Sequence, residues 1–186
     1  MTDPSEGIND EKLLARIRST PWIAELLVLF DFDIARVADG PVEEVRLETG
    51  EPLEMVAGDG TGGAFMLVGS GPTRPVVYVG SEGEGGLIAT NFADALALVV
   101  GLSNIHDATA MPIGADGGAA LRAWLAKTDD ELREYWPTLD EDRVRAREVL
   151  GLREADGPLL EALHAAAADE RYRPISEYGP YESMLR

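Results

Sequence analysis

The chain has 186 residues, of which 45% are hydrophobic and 27% are charged, a composition typical of a globular protein rather than of a disordered or fibrous one. It contains no cysteine, which excludes a disulfide scaffold, a thiol nucleophile and every zinc site that uses thiolate ligands. Its 34 Asp and Glu residues outnumber its 16 Lys and Arg residues, and the resulting net charge of −18 argues against nucleic acid and anionic membranes as partners.

Two short helices are predicted at the start of the chain. Asp10 is a candidate cap for the first, and Thr20 followed by Pro21 is typical of the start of the second, which we expect over residues 21–30. The N-terminal segment is acidic, unlike a secretory signal, and the apolar stretch 22–30 is far shorter than the ~18 residues of a membrane-spanning helix. We therefore expect a cytoplasmic protein.

The sequence then changes to the pattern of a β-sheet. Short apolar runs separated by Gly-rich turns, with no helix between them, predict an antiparallel meander of about five strands over residues 43–90. The runs cover residues 45–47, 53–57, 64–68, 76–79 and 87–89. The alternation of side chains along strands predicts that four residues of the middle strands face the helices. These residues are Phe65, Leu67, Val77 and Val79.

A capped helix is predicted directly after the sheet. Asn91 with Asp94 three residues later is typical of a helix start, and Gly101 is a natural stop. Residues 103–118 contain a proline and three glycines, which predicts a loop and the best candidate boundary inside the chain. We therefore divide the chain into an α+β core over residues 1–113 and a helical extension over residues 114–186, packed on that core.

The extension is predicted to hold four helices and an extended tail. Thr128 and Glu131 form a capping box, so we expect one helix to end before Thr128 and a second to begin there. A third helix is expected over residues 140–150 and a fourth from Pro158. The tail, residues 171–186, contains three of the five tyrosines, which we expect to dock it onto the body of the protein.

Residues 58–63, Gly-Asp-Gly-Thr-Gly-Gly, match the dinucleotide-binding pattern G-x-G-x-x-G. That pattern needs a helix N-terminus after the glycines to hold the pyrophosphate, whereas a predicted strand follows here. We therefore interpret the segment as a wide hairpin turn whose glycines permit positive φ angles, and we expect it to bind neither NAD nor ATP.

Other residues that could carry chemistry have simpler explanations. Asp31 and Asp33 could be metal ligands, but we favour solvated acids at a frayed helix end, because no calcium-loop spacing is present. No serine in a nucleophile-elbow context accompanies His106 or His164, so neither histidine is predicted to be catalytic. The runs of acidic residues lie at predicted helix starts, where they complement the helix dipole. We expect no catalytic residue, no cofactor and no metal site.

Three motifs follow one another over about residues 55–102. They are the Asp- and Gly-rich turn with its aromatic strand at 57–67, the strand with an acidic end at 75–82, and the helix entry at 88–96. In content and order they resemble the SUKH superfamily, the Smi/Knr-like proteins. The usual Leu-Pro entry of that family is not evident in this chain, so the resemblance is to a divergent branch. It implies an α+β fold with helices packed on one antiparallel sheet, and it makes residues 1–113 the SUKH-like core.

The resemblance implies protein binding rather than catalysis, since many bacterial members look like immunity proteins that neutralise toxin domains. We expect an immunity-like module whose acidic surface meets a basic partner protein. The alternatives are a regulatory interaction module without a toxin partner, a small-molecule enzyme that uses the 58–63 turn, and an acidity that serves only solubility. Two turns of the sheet supply the expected partner-binding residues, which are Asp59, Thr61, Glu82 and Glu84.

Overall fold

The computed structural model describes residues 9–114 and 116–185 and contains a four-stranded antiparallel sheet packed against helices, which confirms the predicted α+β fold. Parts of the predictions for the N-terminal segment, the 103–118 loop and the tail fall on residues 1–8, Ala115 and Arg186, which lie outside the described residues. In chain order the elements are α1 (Asp10–Ser19), α2 (Pro21–Val28), β1 (Leu53–Gly58), β2 (Ala64–Val68), β3 (Val76–Val79), β4 (Gly85–Ala89), α3 (Phe92–Gly101), α4 (Ile105–Thr109), α5 (Ala119–Tyr135), α6 (Leu139–Leu150), α7 (Gly157–Ala167), β5 (Ile175–Ser176) and β6 (Gly179–Pro180).

The sheet is a meander with the strand order β1-β2-β3-β4. Across β2 and β3, Phe65 lies opposite Tyr78 and Leu67 opposite Val76. Directly opposed residues of antiparallel strands share a face, so these four side chains point the same way. All four belong to the main hydrophobic core, which the helices form on this side of the sheet.

The register corrects the prediction for the orientation of β3. Val77 lies opposite Met66, so Val77 and Val79 point away from the face that carries Phe65. They pack instead in a second cluster that includes Leu47. In this hairpin an odd-numbered residue of β2 faces an even-numbered residue of β3, which the alternation within a single strand does not reveal.

The first predicted strand does not form. Residues 45–47 are not part of the four-stranded sheet, although Arg46 makes a β-bridge to Ile175 of β5. Strands β5 and β6 pair as a ribbon in the C-terminal tail. Tyr181 of this tail is buried as predicted, whereas Tyr178 is exposed. The 43–47 segment and the tail therefore cover the second face of the sheet together, with Leu47 and Tyr181 in its hydrophobic cluster.

The cap of α1 is Asn9 and not the predicted Asp10. The Asn9 Oδ1 atom accepts a hydrogen bond from the backbone N–H of Glu11 at 2.9 Å. Asp10 is fully buried, and its carboxylate accepts hydrogen bonds from the backbone N–H groups of Arg74 and Phe92. Asp10 thus joins α1 to the β2–β3 turn and to the start of α3, contacts that no local pattern encodes.

Two predictions about the later helices are wrong. The predicted loop at 103–118 contains the short helix α4, and α5 runs without a break through Thr128. The Thr128 hydroxyl donates to the carbonyl oxygen of Trp124 at 3.1 Å, as a residue inside a helix does. Residues 119–127 contain neither glycine nor proline, so the helix that they begin continues past the capping-box pattern.

The predicted starts and stops around α3, α6 and α7 agree more closely with the structure. Asn91 caps α3 by accepting the N–H of Asp94 at 2.8 Å, and Gly151 ends α6 in the left-handed conformation. Asp156 caps α7, which carries Pro158 in its first turn.

One hydrophobic core extends across the predicted division at residue 113. Leu67 and Leu96 on one side of the division and Leu121 and Leu163 on the other are buried in the same cluster. α6 packs against α2 and α3, while α7 packs against β4. Among the described residues, no helix is long and apolar enough to cross a lipid bilayer.

Candidate functional site

The two turns predicted to bind a partner lie side by side at one end of the sheet. Residues 59–63 join β1 to β2 and residues 80–84 join β3 to β4, and alternate turns of a meander fall at the same end. A Cβ atom placed on Gly62 would lie 3.5 Å from the Cβ of Ser81. We refer to residues 59–63 and 80–84 together as the turn end.

Asp59 organises the first turn from the inside. Its Oδ1 atom accepts hydrogen bonds from the N–H of Thr61 at 2.9 Å, from the Thr61 hydroxyl at 2.8 Å and from the N–H of Gly63 at 2.8 Å. Its Oδ2 atom accepts the hydroxyl of Tyr78 at 2.6 Å. A Cβ at position 63 would overlap that hydroxyl, so Gly63 is required by close approach of the side chains.

Tyr78 extends this network from Asp59 to the helix α4. The Nε2 atom of His106 lies 3.1 Å from the Tyr78 hydroxyl, and the two rings meet edge to face with 5.1 Å between their centroids. The Nδ1 atom of His106 lies 3.8 Å from Oε1 of Glu84. The four side chains therefore connect both turns with β3 and α4.

The hydrogen-bond directions in this network follow from Asp59. A carboxylate only accepts, so the Tyr78 proton points to Asp59 and the hydroxyl oxygen is left to accept from His106. The Nε2 atom of His106 therefore carries a hydrogen. When Nδ1 is protonated as well, the imidazolium faces the carboxylate of Glu84 as an ion pair.

The surroundings lower the pKa of Asp59 and raise the pKa of Tyr78. Burial would raise the pKa of the Asp59 carboxyl, but hydrogen bonds from Tyr78, Thr61 and Gly63 outweigh it and hold that pKa below its ordinary value of 3.8. Burial and the adjacent Asp59 charge raise the pKa of Tyr78 above its ordinary value of 10.0. Asp59 is therefore ionised and Tyr78 neutral at pH 7, which suits a fixed network better than proton transfer.

A cavity of about 170 Å³ lies beside the network, on the helix side of the turn end. Its apolar lining includes residues from the end of α2, from α3, α5 and the start of α6, namely Leu29, Phe30, Val99, Leu132, Trp136 and Leu139. Its polar lining includes Asp31, Asp59, Thr61, Tyr78, Ser103 and His106. The cavity thus has an aromatic and aliphatic wall on one side and hydrogen-bonding groups on the other.

Five carboxylates lie on or beside the turn end, and within the described residues none of them is paired with Lys or Arg. Asp31 accepts the N–H of Gly60, and Glu43 accepts the hydroxyl of Tyr181. The backbone N–H of Glu182 donates to the carbonyl oxygen of Gly83. We refer to these five residues as the acidic rim, which consists of Asp31, Glu43, Glu82, Glu84 and Glu182.

The structure gives different positions to the four predicted partner-binding residues. Asp59 is buried, so the expectation that its carboxylate is available to a basic partner is wrong. The reason is that the tight turn leaves N–H and O–H donors that Asp59 must accept. Thr61 is exposed and lines the cavity, Glu82 is exposed, and Glu84 is half-buried against His106.

Asp31 is exposed as predicted, but Asp31 and Asp33 have separate structural tasks, which corrects their placement at a frayed helix end. α2 ends at Val28, and Asp31 then adopts a positive φ of 61° and accepts the N–H of Gly60 at 2.6 Å. Asp33 caps the 3-10 helix Ile34–Ala38 by accepting the N–H of Ala35 at 2.9 Å. The two side chains hold different segments and do not converge on one point.

The remaining sequence candidates keep structural roles. The 58–63 segment is a hairpin turn followed by the strand β2 and not by the helix that the dinucleotide-binding pattern requires, and Gly62 has the predicted positive φ. The Nε2 atom of His164 lies 2.7 Å from the carbonyl oxygen of Ala108 and links α7 to α4.

Tyr78 belongs to the site although no sequence motif indicates it. In the sequence it is one residue of an apolar strand, and His106 lies 28 residues later in a segment predicted to be a loop. One signal was available, since a lone tyrosine in an otherwise aliphatic buried strand needs a polar partner for its hydroxyl. That signal does not say which residue the partner is.

Comparisons of the chain with protein-family models, with curated proteins and with solved structures find no match. The likeness to the SUKH superfamily therefore stays a prediction.

Proposed function

We propose that this chain is a non-enzymatic, immunity-like module that binds a basic toxin or effector protein in the cytoplasm through the turn end. The observation that carries the proposal is the acidic rim, in which five carboxylates stand around two adjacent turns without a Lys or Arg partner in the described part of the chain. Such carboxylates are available to arginine and lysine side chains of a partner.

The charge of the whole chain supports a basic partner. A net charge of −18 attracts a cationic protein over a distance of about 8–10 Å at physiological salt, and the acidic rim then selects the orientation of docking. Glu82 and Glu182 are exposed at this surface, while Asp31 and Glu43 are already held by hydrogen bonds from Gly60 and Tyr181. A rim that is partly fixed before binding loses less side-chain entropy on association.

The state of the buried network favours binding over catalysis. Asp59 accepts four hydrogen bonds within the fold, and the raised pKa of Tyr78 keeps its phenol from releasing a proton near pH 7. The network instead fixes the two turns relative to α4. We infer that its task is to hold the binding surface rigid.

A photo-crosslinking residue at position 82 tests the proposal in the native host cell. We expect it to capture a protein with an excess of basic residues that is toxic when expressed alone and harmless when this chain is co-expressed. Glu51 provides the matched control, because it is an exposed glutamate at the opposite end of the sheet, where its Oε1 would lie 3.3 Å from a Cβ on Gly69.

Equal capture from positions 82 and 51, or no capture from position 82, would contradict the proposal. A captured basic protein that is not toxic would favour the regulatory module instead.

A further inference from the structure

We propose that the cavity beside the turn end receives a single arginine side chain of the partner protein. The inference rests on the proposed function, because it assigns one residue of the basic partner to one place on the surface. It is carried by the size of the cavity, its aromatic lining, and polar groups that face it without a cationic partner.

The size of the cavity limits its occupant to one side chain. Its volume is about 170 Å³. A protein cavity of about 150 Å³ holds one benzene molecule, so a planar group with a short stem fits here and a nucleotide does not.

The aromatic lining suits a flat cation. Phe30 and Trp136 line the cavity with 5.1 Å between their ring centroids and an angle of 44° between their planes, and the ring of Tyr78 lines it as well. A guanidinium group stacks on such rings and is less strongly hydrated than an ammonium group. Leu29, more than half exposed at 53%, extends the apolar lining toward solvent, where the methylene stem of an arginine would pass.

Two residues of the lining, Ser103 and Asp31, each have a side-chain oxygen without a hydrogen-bond partner among the described residues. The Oγ atom of Ser103 is buried and has no hydrogen-bond partner among the described residues. Asp31 uses Oδ1 to accept the N–H of Gly60, while its Oδ2 has no such bond in the described part of the chain. A buried polar atom without a partner is costly, so a ligand that satisfies Ser103 gains from it.

The charge of the lining favours a cation. Asp59 lies at the cavity with a lowered pKa and stays ionised at neutral pH. Arg143 also lines the cavity, but its guanidinium is bound to both carboxylate oxygens of Asp129, at 2.7 and 2.9 Å, and to the carbonyl oxygen of Val100. Arg143 therefore leaves the two carboxylates of Asp31 and Asp59 uncompensated.

Titration with Nα-acetyl-arginine amide, followed by amide NMR of the full chain, tests the inference. We expect saturable shifts at Asp31, Thr61 and Ser103 with a dissociation constant in the millimolar range, about the affinity of one buried side chain. The amides of acetyl-lysine and acetyl-norleucine are the comparison probes. We expect each of them to bind at least about fivefold more weakly, since neither combines a planar group with a charge.

Two variants locate the binding. Asp31→Asn keeps a residue type that tolerates a positive φ, and Ser103→Ala changes little volume, so both should fold. We expect each to weaken binding of the arginine amide by about threefold or more. Asp39→Asn is the matched control, because Asp39 is an exposed aspartate just after the neighbouring 3-10 helix, and it should bind as the wild type does.

The outcomes separate this inference from the proposed function. Non-saturable shifts spread over all acidic surfaces, or equal binding of the norleucine amide, would overturn the arginine site even if position 82 still captures a basic partner. Saturable binding in the cavity together with failed capture at position 82 would support the arginine site and contradict docking at the turn end.

Discussion

Tyr78 joins an anionic and a basic side chain through one hydroxyl group, since it donates to Asp59 and accepts from His106. We expect Tyr78→Phe to lower the free energy of unfolding by about 1–3 kcal/mol, because Oδ2 of the buried Asp59 loses its donor. Urea denaturation measures this change. Tyr178→Phe is the control, since Tyr178 is 81% exposed and should change stability by less than about 0.5 kcal/mol. Equal stability of the Tyr78→Phe variant and the wild type would show that the hydroxyl stabilises nothing.

The lowered pKa of Asp59 makes its contribution depend on pH in a known direction. A carboxyl whose pKa is lower in the folded state stabilises the fold fully above its ordinary value of 3.8, and this contribution is lost as the pH falls through the folded value. We therefore expect the wild type to exceed Asp59→Asn in unfolding free energy at about pH 6 and the difference to shrink toward about pH 3.

Urea melts of both proteins across this pH range measure that difference. A difference that stays constant, or that grows on acidification, would mean that the pKa of Asp59 is not lowered by folding.

The helix α5 gives a test at the level of a single element. Its continuity at Thr128 decides whether a substitution there raises or lowers the stability of the protein. Thr128 lies inside the helix, where alanine is the better helix former, so Thr128→Ala should leave stability unchanged or raise it by up to about 0.5 kcal/mol. If Thr128 were an N-cap, the same change would cost about 1 kcal/mol. Asn91→Ala, at the cap of α3, is the control that should show such a loss in urea denaturation.

At the element level, local patterns predicted the strands 53–57, 64–68 and 76–79, the helix cap at Asn91 and the end of a helix at residue 150, because those features depend on neighbours in the sequence. The orientation of β3 was not predictable from alternation, since it depends on the register of the β2–β3 hairpin. The absence of the first predicted strand has a similar cause, because residues 43–47 pack beside the C-terminal tail.

The candidate site was predictable only in part, because most of its contacts join segments that are far apart in the sequence. The proximity of the two turns follows from the topology of a meander, in which alternate turns lie at the same end. The burial of Asp59, the contribution of Tyr78 and the contact of His106 with Glu84 are contacts between distant segments, and the motifs do not encode them. The acidic rim likewise collects residues from position 31 to position 182.

At the scale of the whole molecule, the net charge and the position of the acidic rim make separate contributions to association. The net charge of −18 accelerates the approach of any basic protein, whereas the acidic rim acts only on a partner that docks at the turn end. Two pairs of substitutions that change the net charge equally therefore separate a specific interface from general attraction.

The most direct measurement is the association rate of the basic partner captured at position 82, at low and at high salt. We expect Glu82→Gln with Glu182→Gln to slow association at low salt by about threefold or more and to reduce its salt dependence. Glu48→Gln with Glu51→Gln removes the same charge from exposed residues near the opposite end of the sheet and should match the wild type within about 1.5-fold. Equal rates and equal salt dependence for the two folded variants would contradict docking at the turn end.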